Sequence, residues 1–322
     1  MKKAVLLSFS ILSTLICVAQ FSGPSGSPGT EAMHKDSSDF VDWAVGCFLE
    51  RGYLDISNPG LGLTDFGNAI NVTGPSDGQV ASLGDSGIAV IIFVSPIFNG
   101  PGNDFAVFEN SFSSTFLELA FVEVSSDGIN YFRFPATSNT PTNAQIGPFD
   151  SVGDATLLNN LAGKHMANYG TPFDLEELVG TPGLNLQNIT HVKIIDVVGS
   201  ISSAFGSQDQ FGTFINDPFP TAFTSGGFDI ESVGVINQQP LGFSSLSEQL
   251  TVLIYPNPAR LGQLITIESD IKFEFGAIYS LEGKQLHFWT SDSYSTDELV
   301  SGVYLVQLNG ETSSISRKLI VH

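Results

Sequence analysis

Cysteine is nearly absent from this 322-residue chain, which holds only Cys17 and Cys47. Cys17 falls within a short apolar N-terminal run, so one thiol remains once that run is removed. A lone thiol excludes an intramolecular disulfide and a cysteine-built zinc site. Basic residues are scarce as well: 12 Lys and Arg stand against 33 Asp and Glu, a formal net charge of −21. The imbalance is steepest across 36–240, where roughly 23 acids meet four bases, Arg51, Arg133, Lys164 and Lys193. Such a surface repels phosphate backbones and excludes nucleic acid as a partner. It favours cations or neutral, hydroxyl-rich ligands, and it also serves solubility outside the cell. The five histidines, His34, His165, His191, His287 and His322, form no His-x-x-x-His pair. No serine sits in a Gly-x-Ser-x-Gly elbow and no glycine-rich phosphate loop is present, so zinc, haem, nucleophile-elbow and nucleotide chemistry lack an anchor. No run after residue 18 is long and apolar enough to span a bilayer, and 4–18 is itself too short.

What is present points to export and to β-structure. Met1-Lys2-Lys3 ahead of the apolar run, with small residues at Cys17-Val18-Ala19, reads as a signal peptide over 1–19 cut before Gln20. Its loss takes Lys2 and Lys3 and moves the charge from −21 to about −23. Residues 20–38 are rich in Gly, Ser and Pro and predict a flexible leader. Beyond them, abundant Gly, Pro, Phe and Val predict an all-β chain with many turns. Strand patterns fall at 88–94, 104–109, 117–125, 131–134, 191–198 and 228–236. Ser126-Asp127-Gly128 is a hairpin turn, and the unbroken apolar run 88–94 suits a central strand covered on both faces. Between 135 and 187 the pattern breaks into a long insertion with candidate short helices at 157–169 and 174–178, a length that suits a functional loop or lid. A second long loop, 203–227, is rich in Phe, Gly and Pro. Polar residues at 238–250 mark a linker. Short strands at 264–268, 273–280, 302–308 and 313–321 then predict a small antiparallel sandwich over 251–322.

The C-terminal motifs Tyr255-Pro256-Asn257-Pro258, Ser280-Leu281-Glu282-Gly283-Lys284 and Ser301-Gly302-Val303-Tyr304-Leu305-Val306, with Arg317-Lys318 before Leu319-Ile320-Val321, follow a specific order. That order resembles the C-terminal sorting domain of the type IX (Por) secretion system of the Bacteroidetes. The resemblance implies Sec export through the periplasm, engagement of the type IX machinery through 251–322, and a destination outside the cell or on its surface. Residues 39–237 resemble a group of Bacteroidetes cell-surface proteins of undefined chemistry. The matching stretches include Asn99-Gly100-Pro101-Gly102-Asn103-Asp104-Phe105-Ala106-Val107-Phe108-Glu109-Asn110, Val122-Glu123-Val124-Ser125-Ser126-Asp127-Gly128 and Gly227-Phe228-Asp229-Ile230. At fold level these segments look like jelly-roll modules of the carbohydrate-binding type. The expected architecture is a jelly-roll-like β-sandwich followed by a small antiparallel sorting sandwich.

Two constellations carry chemistry. Asp104, Glu109 and Asp229 stand at the ends of glycine-rich turns, where carboxylates and exposed carbonyls suit a hard cation such as Ca²⁺; the same residues also suit capping of turn amides. Asp229 and Glu231 share a strand face by alternation. Glu109, Glu118, Glu123 and Glu231 supply enough carboxylates for glycoside hydrolysis if two of them pair across a cleft. Asp196 shares a face with Val192, Ile194 and Val198 and must find loop amides or a cation. Phe205, Phe211, Phe214, Phe219 and Phe223, with Tyr169, Trp43 and Tyr53, offer aromatic faces for a sugar or flat ligand, or pins that hold the loop on the sandwich. Of these, Phe211, Phe214, Phe219, Phe223 and Tyr169 form the expected ligand face. Cys47, between Gly46 and Phe48, reads as a buried, inert thiol. The leading expectation is a noncatalytic surface protein that binds a glycan or other small nutrient with Ca²⁺ in support. An adhesive or structural surface protein is the second reading and a glycoside hydrolase the third.

Overall fold

The computed structural model describes residues 21–239 and 252–322, except 270–272, 274, 282 and 310–313. The signal segment 1–19 and most of the 238–250 linker lie outside the described residues. The described chain is all-β, and its helices are single 3₁₀ turns of three or four residues.

Residues 33–235 build two facing antiparallel sheets. One runs in the order Met33–His34, Tyr169–Phe173, Phe105–Glu109, Asp229–Val235, Asp42–Trp43, with Ala81–Ser82 also paired to Asp229 and Ile230. The other runs Gly46–Glu50, Ile88–Ile97, Ile189–Asp196, Ala120–Ser125, Phe132–Arg133. Between them lies a core that includes Ile91, Phe105, Val107, Val122, Phe134, Phe173, Val192, Ile194, Ile230 and Val233. Phe105 stacks on Phe173 at 5.4 Å, and both meet Phe134, at 6.0 and 5.0 Å.

Local sequence explains most of these strands. Asp127 Oδ1 accepts from the amides of Ile129 and Asn130, each at 2.8 Å, and Gly128 takes φ 73°, so the expected turn joins Ala120–Ser125 to Phe132–Arg133. Asp174 accepts from Glu176 N at 2.9 Å and caps the 3₁₀ turn Leu175–Leu178, where a short helix was expected. Three expectations are corrected. The leader is tied down: Phe21 N donates to Thr156 O, Met33–His34 pairs with Gly170 and Tyr169, and Glu31 pairs with the fully buried Lys164 at 2.6 Å. Glycine and serine leave that segment free to follow the surface, and the buried ammonium gives it an anchor. Ile88–Ile97 is central in its sheet but covered chiefly on one face, for Ala89 and Ile91 are buried while Val94 is 54% exposed. The insertion 135–187 is no lid. It supplies Tyr169–Phe173 to the first sheet, and Ala136, Leu158 and Leu161 join Leu117, Leu119, Phe121, Val197 and Ile215 in a second core.

The C-terminal residues build their own pair of sheets. Val252–Tyr255, Leu264–Ser269 and Ser293–Ser295 form one; Gln285–Trp289, Phe275–Tyr279, Gly302–Asn309 and Ser314–Val321 form the other. Their core includes Ile265, Ile267, Ile278, Trp289, Tyr304, Val306, Leu308 and Leu319. No described helix is long and apolar enough to cross a membrane.

Two substitutions test this packing in the full-length chain. Phe105→Ala should lower stability by about 3–5 kcal/mol in urea unfolding, through lost burial and the cavity left behind; a loss below about 1 kcal/mol would place Phe105 outside the core. Glu31→Ala should strip the partner from buried Lys164 and cost about 3 kcal/mol, near the low end for a broken buried pair because Glu31 itself keeps some solvent. Faster protease cleavage within 21–34 should accompany it.

Candidate functional site at the loop-rich end of the sandwich

Register brings one end of every long strand in the first sandwich together. Ile88 lies opposite Glu50 and Ile195, Asp196 opposite Ala120, Ile230 opposite Glu109, and Asp229 opposite Ser82. The long segments 51–87, 110–119 and 197–228 all leave from this end. Alternation from Phe105 and Val107, both in the core, carries Glu109 inward as well.

The result is a cluster of acids withdrawn from water. Asp196, buried as its strand pattern requires, accepts from Phe228 N at 2.7 Å and Ser86 N at 3.0 Å. Gly227 lets the chain pass close above it: its φ is +73°, and a Cβ there would stand 2.7 Å from Asp196 Oδ1. Asp217 accepts from Leu119 N at 2.9 Å, and Asp85 from Ile56 N at 2.8 Å. Asp229 accepts from the Ser82 hydroxyl, and Glu231 from Ser76 Oγ at 2.7 Å and from Gly78 N. These contacts join carboxylates to loop amides and hydroxyls, the arrangement expected of acids that organise turns.

Glu109 and Glu118 differ. Glu109 is 1% exposed; its Oε2 accepts from Ser111 N at 2.9 Å, while its Oε1 is buried without a hydrogen-bond partner. The half-buried Glu118 carboxylate has no hydrogen bond among the described residues. Burial, and then the charges of Glu118 and Asp229, push the Glu109 carboxyl well above its ordinary range; Glu118 is raised by burial and by Asp229 and Asp196. Arg51 is the cation facing Asp229, and its guanidinium donates to the carbonyls of Phe66, Ser82 and Gly67.

The expected site residues are partly separated. Asp104 sits at the far end of strand Phe105–Glu109 from Glu109, a span of roughly 16 Å at strand rise. There it accepts from Gly100 N, Asn237 Nδ2 and Leu175 N, so it is a loop anchor remote from Glu109 and Asp229. Glu123 pairs with Arg133 and Lys193, at 2.8 and 2.6 Å, and is neutralised across the sheet. Nor do the aromatics form one platform. Phe219 is buried beside Phe205, Phe214 is half-buried, and Phe211 is 75% exposed on its turn. Tyr169 packs edge-on against His34. Phe223 alone of the five joins an exposed pair, with Phe149 at 5.3 Å. Phe149, 76% exposed, was not singled out from sequence; a large aromatic inside the turn Gly147-Pro148-Phe149-Asp150 was the available signal. A cavity of about 10 Å³, water-sized, lies near Leu117, Asn216 and Asp217. Cys47 is buried, and burial pushes its thiol up to about 12, which leaves it inert.

Residues 253–322 match the family described as the secretion system C-terminal sorting domain. The chain therefore carries a type IX sorting tail, and that tail directs export to the cell surface or the extracellular space. Among solved structures it is similar to a beta-1,2-glucanase from Parabacteroides distasonis, at 11% identity and TM-score 0.24, over 90% of this chain and 39% of that one. It is also similar to HBP35 of Porphyromonas gingivalis, at 11% identity and TM-score 0.18, over 87% of this chain and 64% of that one. The chain thus spans less than two thirds of either relative, and likenesses of this size carry no argument about activity. No curated protein matches it.

The buried acids set a pH dependence. Burial raises Asp85 and Asp229 to about 6, and Glu109, Glu118, Asp196 and Asp217 lie well above the ordinary carboxylate range. The folded chain then binds more protons than the unfolded chain above the ordinary carboxylate pKa. This contribution is full at low pH and is lost as pH rises through about 6 and beyond. His165 and His191, lowered by burial, act in the opposite sense but are fewer. In buffer free of divalent ions, the melting midpoint should be higher at pH 5.5 than at pH 7.5, and a rise toward pH 7.5 would contradict the burial of these acids.

Proposed function

We propose that the first sandwich is a noncatalytic binding module that captures a glycan or another small hydroxyl-rich nutrient outside the cell, where the sorting tail delivers it. The observation that carries this reading is the exposed Phe149–Phe223 pair at the loop-rich end, two large apolar faces open to solvent on an otherwise acidic domain. Aromatic faces stack on the C–H faces of sugars, and an acidic surround disfavours anionic ligands while tolerating neutral ones. Glycoside hydrolysis needs two carboxyl groups facing the scissile bond. The sequestration of Glu109 and Glu231, at 1% and 3% exposure, and the pairing of Glu123 with two cations support binding over turnover.

In calorimetry or on a glycan array, Phe149→Ala and Phe223→Ala in the full-length chain should each weaken affinity for a bound neutral glycan by about tenfold, near 1.4 kcal/mol, without moving the melting midpoint. A blank across broad neutral glycan sets would favour the adhesive reading instead. Export has a separate check: removal of 301–322 should leave the protein in the periplasm, and normal surface display of the truncation would refute recognition through that segment.

A further inference from the structure

We propose that the outer face of the second sheet in the first sandwich is a docking surface for the sorting tail, and that the turn 280–284 is the segment it receives. The inference is independent of any glycan. Cys47, Ala89, Ile91, Val122 and Val192 lie in the core, so alternation turns their strand neighbours outward. Register sets those outward residues in rows. Gly46 lies opposite Ile92, Phe48 opposite Val90 and Glu50 opposite Ile88. Val90 in turn lies opposite Lys193, Lys193 opposite Glu123, and Glu123 opposite Arg133. The face is therefore divided. Toward Phe132–Arg133 it is polar and satisfied within itself. Glu123 pairs with Lys193 and Arg133, and these cations also lie 4.0 Å over the rings of Tyr131 and Phe121 respectively. Toward the edge strand Gly46–Glu50 it is apolar, for Phe48, Ile88, Val90, Ile92 and Val94 point outward and none of them is buried. An apolar strip beside an open strand edge is a surface that proteins cover.

The occupant is named by what touches this strip. Phe48 meets Tyr279 edge-on, with ring centroids 6.5 Å apart and planes at 87°. Gly283, in the turn between Phe275–Tyr279 and Gln285–Trp289, is buried at φ +74°, and a Cβ on it would stand 2.8 Å from the Phe48 ring. On the other side of the contact Gly46 is buried too, and a Cβ there would lie 3.4 Å from the Leu281 carbonyl oxygen. Glycine at 283 thus serves two ends at once: it supplies the left-handed turn and lets the backbone close on an aromatic ring. Contacts between units of one chain are small and reversible by default, and this one leaves Val94 in solvent. While Gly283 is seated against Phe48, any other protein that recognises this turn competes with the sandwich for it.

The test uses the full-length protein with a photoreactive benzoylphenylalanine at position 48, which keeps an aromatic ring there. Irradiation should cross-link position 48 to the tryptic peptide 273–284 within one chain, with a yield independent of protein concentration. The same label in place of Ile129, 81% exposed on the hairpin at the far edge of the sheet, should give no such product. In hydrogen exchange, Phe48→Glu should speed the amides of 279–284 by at least about fivefold and leave those of 302–309 unchanged, because a charge set against Gly283 expels the turn without entering the tail's core. Cross-links that form only between two chains would overturn the proposal and assign the strip to a second copy. No cross-link to 273–284, or exchange unmoved by Phe48→Glu in a folded protein, would overturn it outright. The cross-link decides the matter even if Phe48→Glu fails to fold.

Discussion

Carboxylates taken out of water at one end of the first sandwich are the constraint on which much of the remaining structure depends. Asp196 leaves the core face of its strand and receives the amides of Ser86 and Phe228, which joins two separate loops to the sheet. Asp217 does the same for the segment entering strand Ala120–Ser125, through Leu119 N. Each carboxylate needs donors because burial penalises its charge, and backbone amides are the donors that loops without secondary structure have free. The long segments 51–87 and 197–228 are therefore held by acids, together with the short strand Ala81–Ser82, rather than by disulfides. At Glu109 the amide of Ser111 satisfies one carboxylate oxygen and leaves the other, buried, without a donor.

The acid-rich first sandwich and the sorting tail belong to one physical circumstance. Outside the cell a disulfide would be permitted, yet Cys47 is the one cysteine among the described residues and it is buried. Stability then rests on the two cores of the first sandwich, on a third in the tail, and on polar anchors such as Lys164 with Glu31. That ion pair also explains why a leader rich in glycine and serine lies against the sandwich: an ammonium that is fully buried has few ways to be satisfied, and Glu31 together with Leu158 O provides one.

The regular strands were legible because their signals are local. Alternation around Val122 and Val124, the Asp127-Gly128 turn, and the apolar run from Ile88 each act within a few residues. The strand Tyr169–Phe173 was not legible, since Tyr169-Gly170-Thr171-Pro172-Phe173 carries a proline and no alternation. It is a strand because Phe105–Glu109 offers it a partner and Phe173 fills the core beside Phe105. The candidate site divides in the same way. That Glu109 closes a strand and that Asp229 follows Gly226-Gly227 could be read directly. That Asp104 belongs to the other end could not, because strand Phe105–Glu109 separates two acids that lie close in sequence. Nor could the pairing of Phe223 with Phe149, which are far apart along the chain.

By itself the sequence determined the all-β class, the scarcity of cysteine, the acidity of the first sandwich, and the sorting tail with its destination. Composition and short motifs suffice for these, because each depends on residue type or on contacts within a turn or a strand. Tertiary structure alone decided which acids collect at one end, which aromatics remain in solvent, and how the leader is anchored. Those outcomes depend on sheet register, which brings residues from distant strands to the same end and sets Glu109 opposite Ile230, a full strand length from Asp104.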